Sequence, residues 1–183
     1  MNKLFLYDDG SVTSDTLRIM RRKGYSCQPL TEDPDFFWTS ISALKNGDVF
    51  VLLSHGNERG PLAVRGDEGD DIDLTKFSKD ISEKNIKLYL LSCHTGLPPC
   101  ETILTANGVN FVAPLGLAVF ETVGEDMINI HSKEGQTNPG WAGRLSPGRA
   151  TKSLFLPSKK SSFFRSLNVG TGSNNLGPCY ITG

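Results

Sequence analysis

The chain has 183 residues, 38% hydrophobic and 21% charged, with a net charge of −1. That length favours one domain with a single sizeable core, and the composition excludes a disordered or membrane-spanning chain. The charge is uneven: residues 141–183 carry Arg144, Arg149, Lys152, Lys159, Lys160 and Arg165 and no acid, a balance of +6 that leaves −7 for the rest. A solvated basic arm is the plain reading, with folding back onto the acidic body or capture of an acidic partner as alternatives.

In chain order, Lys3–Tyr7 is a short apolar run closed by Asp8-Asp9-Gly10, which predicts a first buried strand and a turn. The run is far too short for a signal-peptide core or a membrane span, so neither is expected. Residues 11–23 then predict a helix, with Ser14 as N-cap, Leu17 and Met20 at helical spacing, basic residues in the last turn and Gly24 as the stop. Tyr25–Leu30 predicts a second strand. Pro34 opens a second helix through Phe37, Ile41 and Leu44, closed by Asn46-Gly47.

Asp48–Leu53 predicts the central strand, because Val49-Phe50-Val51-Leu52-Leu53 is apolar throughout and so must be covered on both faces. It ends in Ser54-His55-Gly56-Asn57. Residues 61–73 resemble a small hairpin, Leu62-Ala63-Val64 turning at Gly66–Gly69 toward Ile72. The acidic group Asp67, Glu68, Asp70, Asp71 and Asp73 lacks the spacing and closing Glu of a helix-loop-helix calcium site, so it reads as a solvated turn and no metal is expected. Leu74–Ser82 predicts a crossover helix, and Ile86–Leu91 a strand ending in Ser92-Cys93-His94-Thr95-Gly96.

Pro98-Pro99 leads into a helix over Glu101–Ala106, and Asn110–Leu115 predicts a fifth strand. Residues 117–131 predict a helix around Val119, Val123, Met127 and Ile130, and Lys152–Leu156 a sixth strand. The alternation of strand and helix predicts an α/β domain: an open, mostly parallel sheet of about six strands with helices on both faces. The domain is expected over residues 1–156. Residues 157–183 form a basic, then Gly/Asn-rich C-terminal segment in which Phe163 and Phe164 anchor on the core. The four cysteines, Cys27, Cys93, Cys100 and Cys179, have no framework or zinc spacing. This points to the cytoplasm or another reducing compartment, with delivery as an effector left open.

The reactive residues stand at the carboxyl ends of two strands, the ligand-binding edge of a parallel sheet. A thiol attacks a carbonyl as the thiolate and needs a nearby base or cation, which His55 supplies for Cys93. Gly56 and Thr95-Gly96 let backbone approach a substrate and turn N–H groups toward a developing oxyanion. Singly, each residue reads as ordinary: a buried Cys and a polar surface His. Together, each ending an apolar strand and followed closely by Gly, they read as a catalytic pair. His94 adjoins Cys93 and should point away from it; His131 reads as a surface residue.

Val51-Leu52-Leu53-Ser54-His55-Gly56 and Leu90-Leu91-Ser92-Cys93-His94-Thr95-Gly96, in that order, resemble the caspase-like cysteine peptidases, which include gingipain, clostripain and legumain relatives. The resemblance covers roughly residues 1–116. Leu91 and Ser92 stand where Gln and Ala of the local caspase signature would be, so it is to a distant bacterial-type relative. It implies a caspase-like fold and a cysteine endopeptidase, a thiol protease and hydrolase cleaving protein or peptide substrates through a thioester acyl-enzyme, without cofactor. Cys93 would be the nucleophile, His55 the acid/base group, and the backbone N–H groups of Gly56 and Cys93 the oxyanion hole. By the same resemblance Asp8 and Asp9 would line the substrate pocket and favour a basic side chain. Capping of the turn by both acids is the alternative. The chain's own C-terminal segment, with Lys159, Lys160 and Arg165, would be a further substrate. A catalytically idle adaptor or binding module on the same fold is the second reading. A receiver-like module is disfavoured by Ser54-His55 and Pro114-Leu115 where it needs an acid and a Lys. No nucleic-acid partner is expected.

Overall fold

The computed structural model describes residues 1–123, 127–131, 141–143 and 179–182. In chain order they form β1 (Lys3–Tyr7), a single 3-10 turn at Asp9–Ser11, α1 (Ser14–Arg22), β2 (Ser26–Pro29), α2 (Pro34–Ser42), β3 (Val49–Leu53), β4 (Gly56–Asn57) and β5 (Gly60–Pro61). There follow α3 (Leu74–Glu83), β6 (Lys87–Leu90), α4 (Cys100–Ala106), β7 (Asn110–Pro114), β8 (Val119–Val123), β9 (Met127–His131), β10 (Trp141–Ala142) and β11 (Cys179–Thr182).

The main sheet has six strands in the order β10-β7-β6-β3-β1-β2. Five are parallel, and β10 alone runs antiparallel, on β7. Counted along the parallel strands the order is 2-1-3-4-5, a doubly wound arrangement whose switch point lies between β1 and β3. The chain is therefore an α/β protein with a mostly parallel sheet. Among the described residues no helix is long and apolar enough to cross a membrane.

Strand parity sorts the core into two layers. Leu4, Leu6, Phe50, Leu52, Leu88, Leu90, Phe111 and Ala113 face α2, α3 and α4, meeting Phe37, Ile41, Phe77, Ile81 and Leu104. Phe5, Tyr7, Val49, Val51, Leu53, Tyr89, Leu91 and Val112 face the other way, onto Ile19 and Met20 of α1. Both faces of the sheet thus carry helices. Side-chain oxygens start three of the helices: Thr13 accepts from Thr16 N, Asp33 from Asp35 N and Asp73 from Lys76 N.

Three expectations change. Within the stretch expected as a helix over residues 117–131, Val119–Val123 and Met127–His131 form the antiparallel pair β8–β9, with Val119 opposite His131 and Val123 opposite Met127. The stretch is rich in β-branched and aromatic residues, Val119, Phe120, Thr122, Val123, Ile128 and Ile130, which suit a pleated surface better than a helix. β11 adds to β9 as a third strand. The hairpin expected over residues 61–73 lies earlier, as β4–β5, where Asn57 Oδ1 accepts from Arg59 N and Gly60 takes φ +144. Leu62 and Ala63 instead bury their side chains in an irregular segment. The sixth strand of the sheet is Trp141–Ala142; Lys152–Leu156, Phe163, Phe164 and most of the basic segment lie outside the described residues.

At the amino edge Asp48 ties the central strands together. Its buried carboxylate accepts from Asn2 N at 2.6 Å and Lys45 N at 2.9 Å, and its carbonyl accepts from Lys87 N. Burial pushes the carboxyl up, but the N–H groups of Lys45 and Asn2 and the Asn2 amide outweigh this and hold it below the ordinary carboxylate range. This contribution to stability is fully present above the unfolded carboxylate pKa of about 4 and is lost as pH falls through the depressed folded value. Asp48→Asn is expected to lower stability by about 1–3 kcal/mol near neutrality. Urea denaturation of both proteins across the acid range should show that gap closing as pH falls; a gap independent of pH would refute the assignment.

Candidate functional site

The site is built by the register of β3 and β6. Leu52 lies opposite Leu90, and Leu91 N donates to Leu52 O at 2.8 Å. Beyond the strands the Ser54 and Ser92 hydroxyls meet at 3.0 Å, fully buried. His55 and Cys93 are each one residue further along these neighbouring parallel strands.

His55 is half-exposed, and its Nε2 lies 3.7 Å from Asp8 Oδ2. Asp8 itself is buried at the end of β1, its N–H donating to Leu53 O. Its carboxylate accepts from Ser11 Oγ at 2.9 Å and from Gly66 N at 3.0 Å, which fixes it against the switch point. Asp9 turns the other way, to Arg65 at 3.5 Å; Arg65 also pairs with Glu32 at 3.0 Å. The structure thus separates the two acids: Asp8 joins His55, and Asp9 joins a surface ion-pair group.

Cys93 Sγ accepts the Ala118 N–H at 3.4 Å and lies 3.7 Å from Ala118 O. The chain after it turns sharply, with His94 at φ +61 and its N–H on Gly116 O. Thr95 and Gly96, read above as oxyanion donors, are committed elsewhere: Thr95 N reaches Ser92 O at 3.4 Å and Gly96 N donates to Pro114 O at 2.8 Å. Gly96 is a packing requirement, since a Cβ there would lie 2.7 Å from Ala113 O. Gly56 differs. Leu62 N donates to His55 O, so the neighbouring 56:61 pair is a non-hydrogen-bonded one and the Gly56 N–H points away from β5.

Cys27, Cys93 and Cys100 are free thiols. Burial pushes Cys100 up to about 12, with Glu101 adding to it, and burial also raises Cys27. Both are thereby held protonated. A cavity of about 540 Å³ lies between α2, the start of α3 and the 63–73 segment, lined by Trp38, Val64, Ile72 and several acids. Neither His55 nor Cys93 lines it. Of its acids, Asp71 pairs with Arg59, Glu32 with Arg65, and Asp73 caps α3.

No family model matches the chain, and no curated protein matches it. Similar solved structures are an aromatic-amino-acid aminotransferase from Burkholderia pseudomallei covalently bound to pyridoxal phosphate and an aromatic amino acid aminotransferase from Burkholderia cenocepacia J2315. Identities are 11% and 17%, with TM-scores of 0.40 and 0.39; 61% of this chain matches 30% of each of those chains. At those TM-scores neither likeness assigns this chain an activity.

The caspase-like assignment is corrected on these findings: no cysteine-peptidase family model and no curated cysteine peptidase matches the chain, and none of the solved structures named above is one. With it go the endopeptidase activity, the hydrolase and thiol-protease designations and the idle adaptor on that fold. Self-cleavage at Lys159, Lys160 and Arg165 required that activity and goes too. The physical reason is that the resemblance rested on two short motifs. Any doubly wound sheet ends its apolar strands in small and polar residues at the ligand-binding edge, so such motifs report architecture before they report family.

Gly56 supplies a direct test of this geometry. A Cβ there would fall 2.8 Å from Ser92 Cβ and 3.1 Å from Gly60 O. Gly56→Ala should lower stability by about 1–3 kcal/mol through this overpacking. Thermal denaturation checks it, and an unchanged midpoint would show that the strand ends are not so close.

Proposed function

We propose that the carboxyl edge is a thiol-dependent acyl-transfer site acting on a small acyl donor, with Cys93 as nucleophile and His55 as proton carrier. The observation that supports it most is the β3–β6 register, continued by the Ser54–Ser92 hydroxyl pair, from which the chain runs on to His55 and to Cys93 at one edge of the sheet. The Asp8 carboxylate lies 3.7 Å from His55 Nε2, which orients the ring and leaves Nδ1 for proton transfer. The Ala118 N–H donates to Cys93 Sγ at 3.4 Å and fixes the position of the sulfur.

In this reading the Cys93 thiolate attacks the carbonyl carbon of a thioester or activated ester. The backbone N–H groups of Gly56 and Cys93 receive the oxyanion. As the carbonyl re-forms, the bond to the leaving group breaks and His55 gives that group its proton. The acyl group then rests on Cys93 as a thioester. An acceptor hydroxyl or amine attacks it, His55 takes the acceptor's proton, and Cys93 departs as the thiolate. No cofactor enters this sequence.

The test is intact-mass analysis after incubation with the acetyl thioester of N-acetylcysteamine. One acetyl group on Cys93 is expected in the wild type, none in Cys93→Ala, and acylation slowed by about 10²-fold or more in His55→Ala. Acetyl spread evenly over Cys27, Cys93 and Cys100, or an undiminished rate in His55→Ala, would overturn the reading.

A further inference from the structure

Trp141 carries a buried indole N–H that has no hydrogen-bond partner among the described residues, on a side chain 9% exposed. Buried donors in folded proteins are almost always paired, so this one asks for a physical account. Its position supplies one. The ring lies on the α1 side of the sheet with Tyr89, Leu91 and Val112, and Ala118 packs at the margin of the same cluster. Ala118 is the residue whose N–H reaches Cys93 Sγ.

Register gives the distance. Trp141 lies opposite Pro114 on β7, and Val112 of β7 lies beside Tyr89 of β6. Extended by two residues, this sets Trp141 level with Leu91, two residues short of Cys93 and on the face that odd-numbered β6 residues share. Strand spacing and rise put the two backbones on the order of 12 Å apart. A Cys side chain, a short acyl chain and an indole ring span that gap together.

We propose that the Trp141 indole N–H is a specificity donor for the acyl group delivered to Cys93, binding an oxygen acceptor a few atoms along the chain from the reacting carbonyl. The inference rests on the acyl-transfer reading and narrows its substrate class to acyl groups bearing a second carbonyl-type oxygen. A buried donor satisfied only by the correct substrate discriminates against an analogue lacking the acceptor, because the analogue leaves it unpaired.

Two probes that differ in that single oxygen test it: the N-acetylcysteamine thioesters of 5-oxohexanoic and hexanoic acids. Wild type should be acylated about tenfold faster by the oxo thioester. Trp141→Phe, which keeps an aromatic ring and removes the N–H, should acylate with both at similar rates. Binding is read separately on Cys93→Ala protein by the ¹H–¹⁵N indole resonance of Trp141, identified between the two tryptophans by its loss in Trp141→Phe. It should shift with the oxo thioester and not with the hexanoyl one.

A rate preference that persists in Trp141→Phe, or equal rates in the wild type with an unmoved resonance, overturns the donor assignment. A shifted resonance without acylation leaves the donor standing and overturns acyl transfer. Silence in both measurements overturns both.

Discussion

Every residue of β3 is buried, and the strand is hydrogen-bonded on both sides, to β1 and to β6. The rest of the structure depends on that constraint. A strand that is apolar on both faces must be covered twice, which demands α2, α3 and α4 on one side and α1 on the other. Each of its five side chains contributes roughly 1.5–3 kcal/mol on burial. A one-residue slip would reverse the facing of Phe50 and Leu52 against Val49, Val51 and Leu53, and unmake both layers at once. The register is held from both ends, by the Asp48 carboxylate against Asn2 N and Lys45 N and by the Ser54–Ser92 hydroxyl pair.

The carboxyl edge inherits its geometry from the same register. His55 and Cys93 follow neighbouring parallel strands that end at one level, and Asp8 lies 3.7 Å from His55 because β1 is the other neighbour of β3. Asp8 is in turn held by Ser11 and by Gly66 N, so the irregular 62–73 segment supports the site although it contributes no reactive group. Arg65 extends that support to Asp9 and Glu32 at the surface, where exposed ion pairs contribute little to stability but orient the loop. The imidazole and the loop are thus linked through one buried carboxylate.

The weakness of the family resemblance and the coherence of the site have one origin. Apolar strands ending in small, polar residues are what a doubly wound sheet presents at its carboxyl edge, so short motifs there recur across unrelated proteins. Activity has to be argued from particular atoms: the Ala118 N–H on the thiol sulfur, the Asp8 carboxylate beside the imidazole, and the occupied N–H groups of Thr95 and Gly96.

The sequence by itself determined the α/β class and the parallel core strands. Those features are written in local periods, an apolar run such as Val49–Leu53 or the helical spacing of Phe37 and Ile41, which act over a few residues. It misread residues 117–131, where Val119, Val123, Met127 and Ile130 fit a helical spacing while their β-branched and aromatic neighbours favour the antiparallel pair that forms. It also misread the 62–72 stretch, whose Leu62 and Ala63 go into the core instead of onto a strand face. Only the tertiary structure decided that Asp8 faces His55 across 47 residues, that Ala118 reaches Cys93 across 25, and that Trp141 lies level with Leu91. Such contacts have no period and no local signature; they exist because sheet pairing and the packing of two layers bring distant segments to one edge.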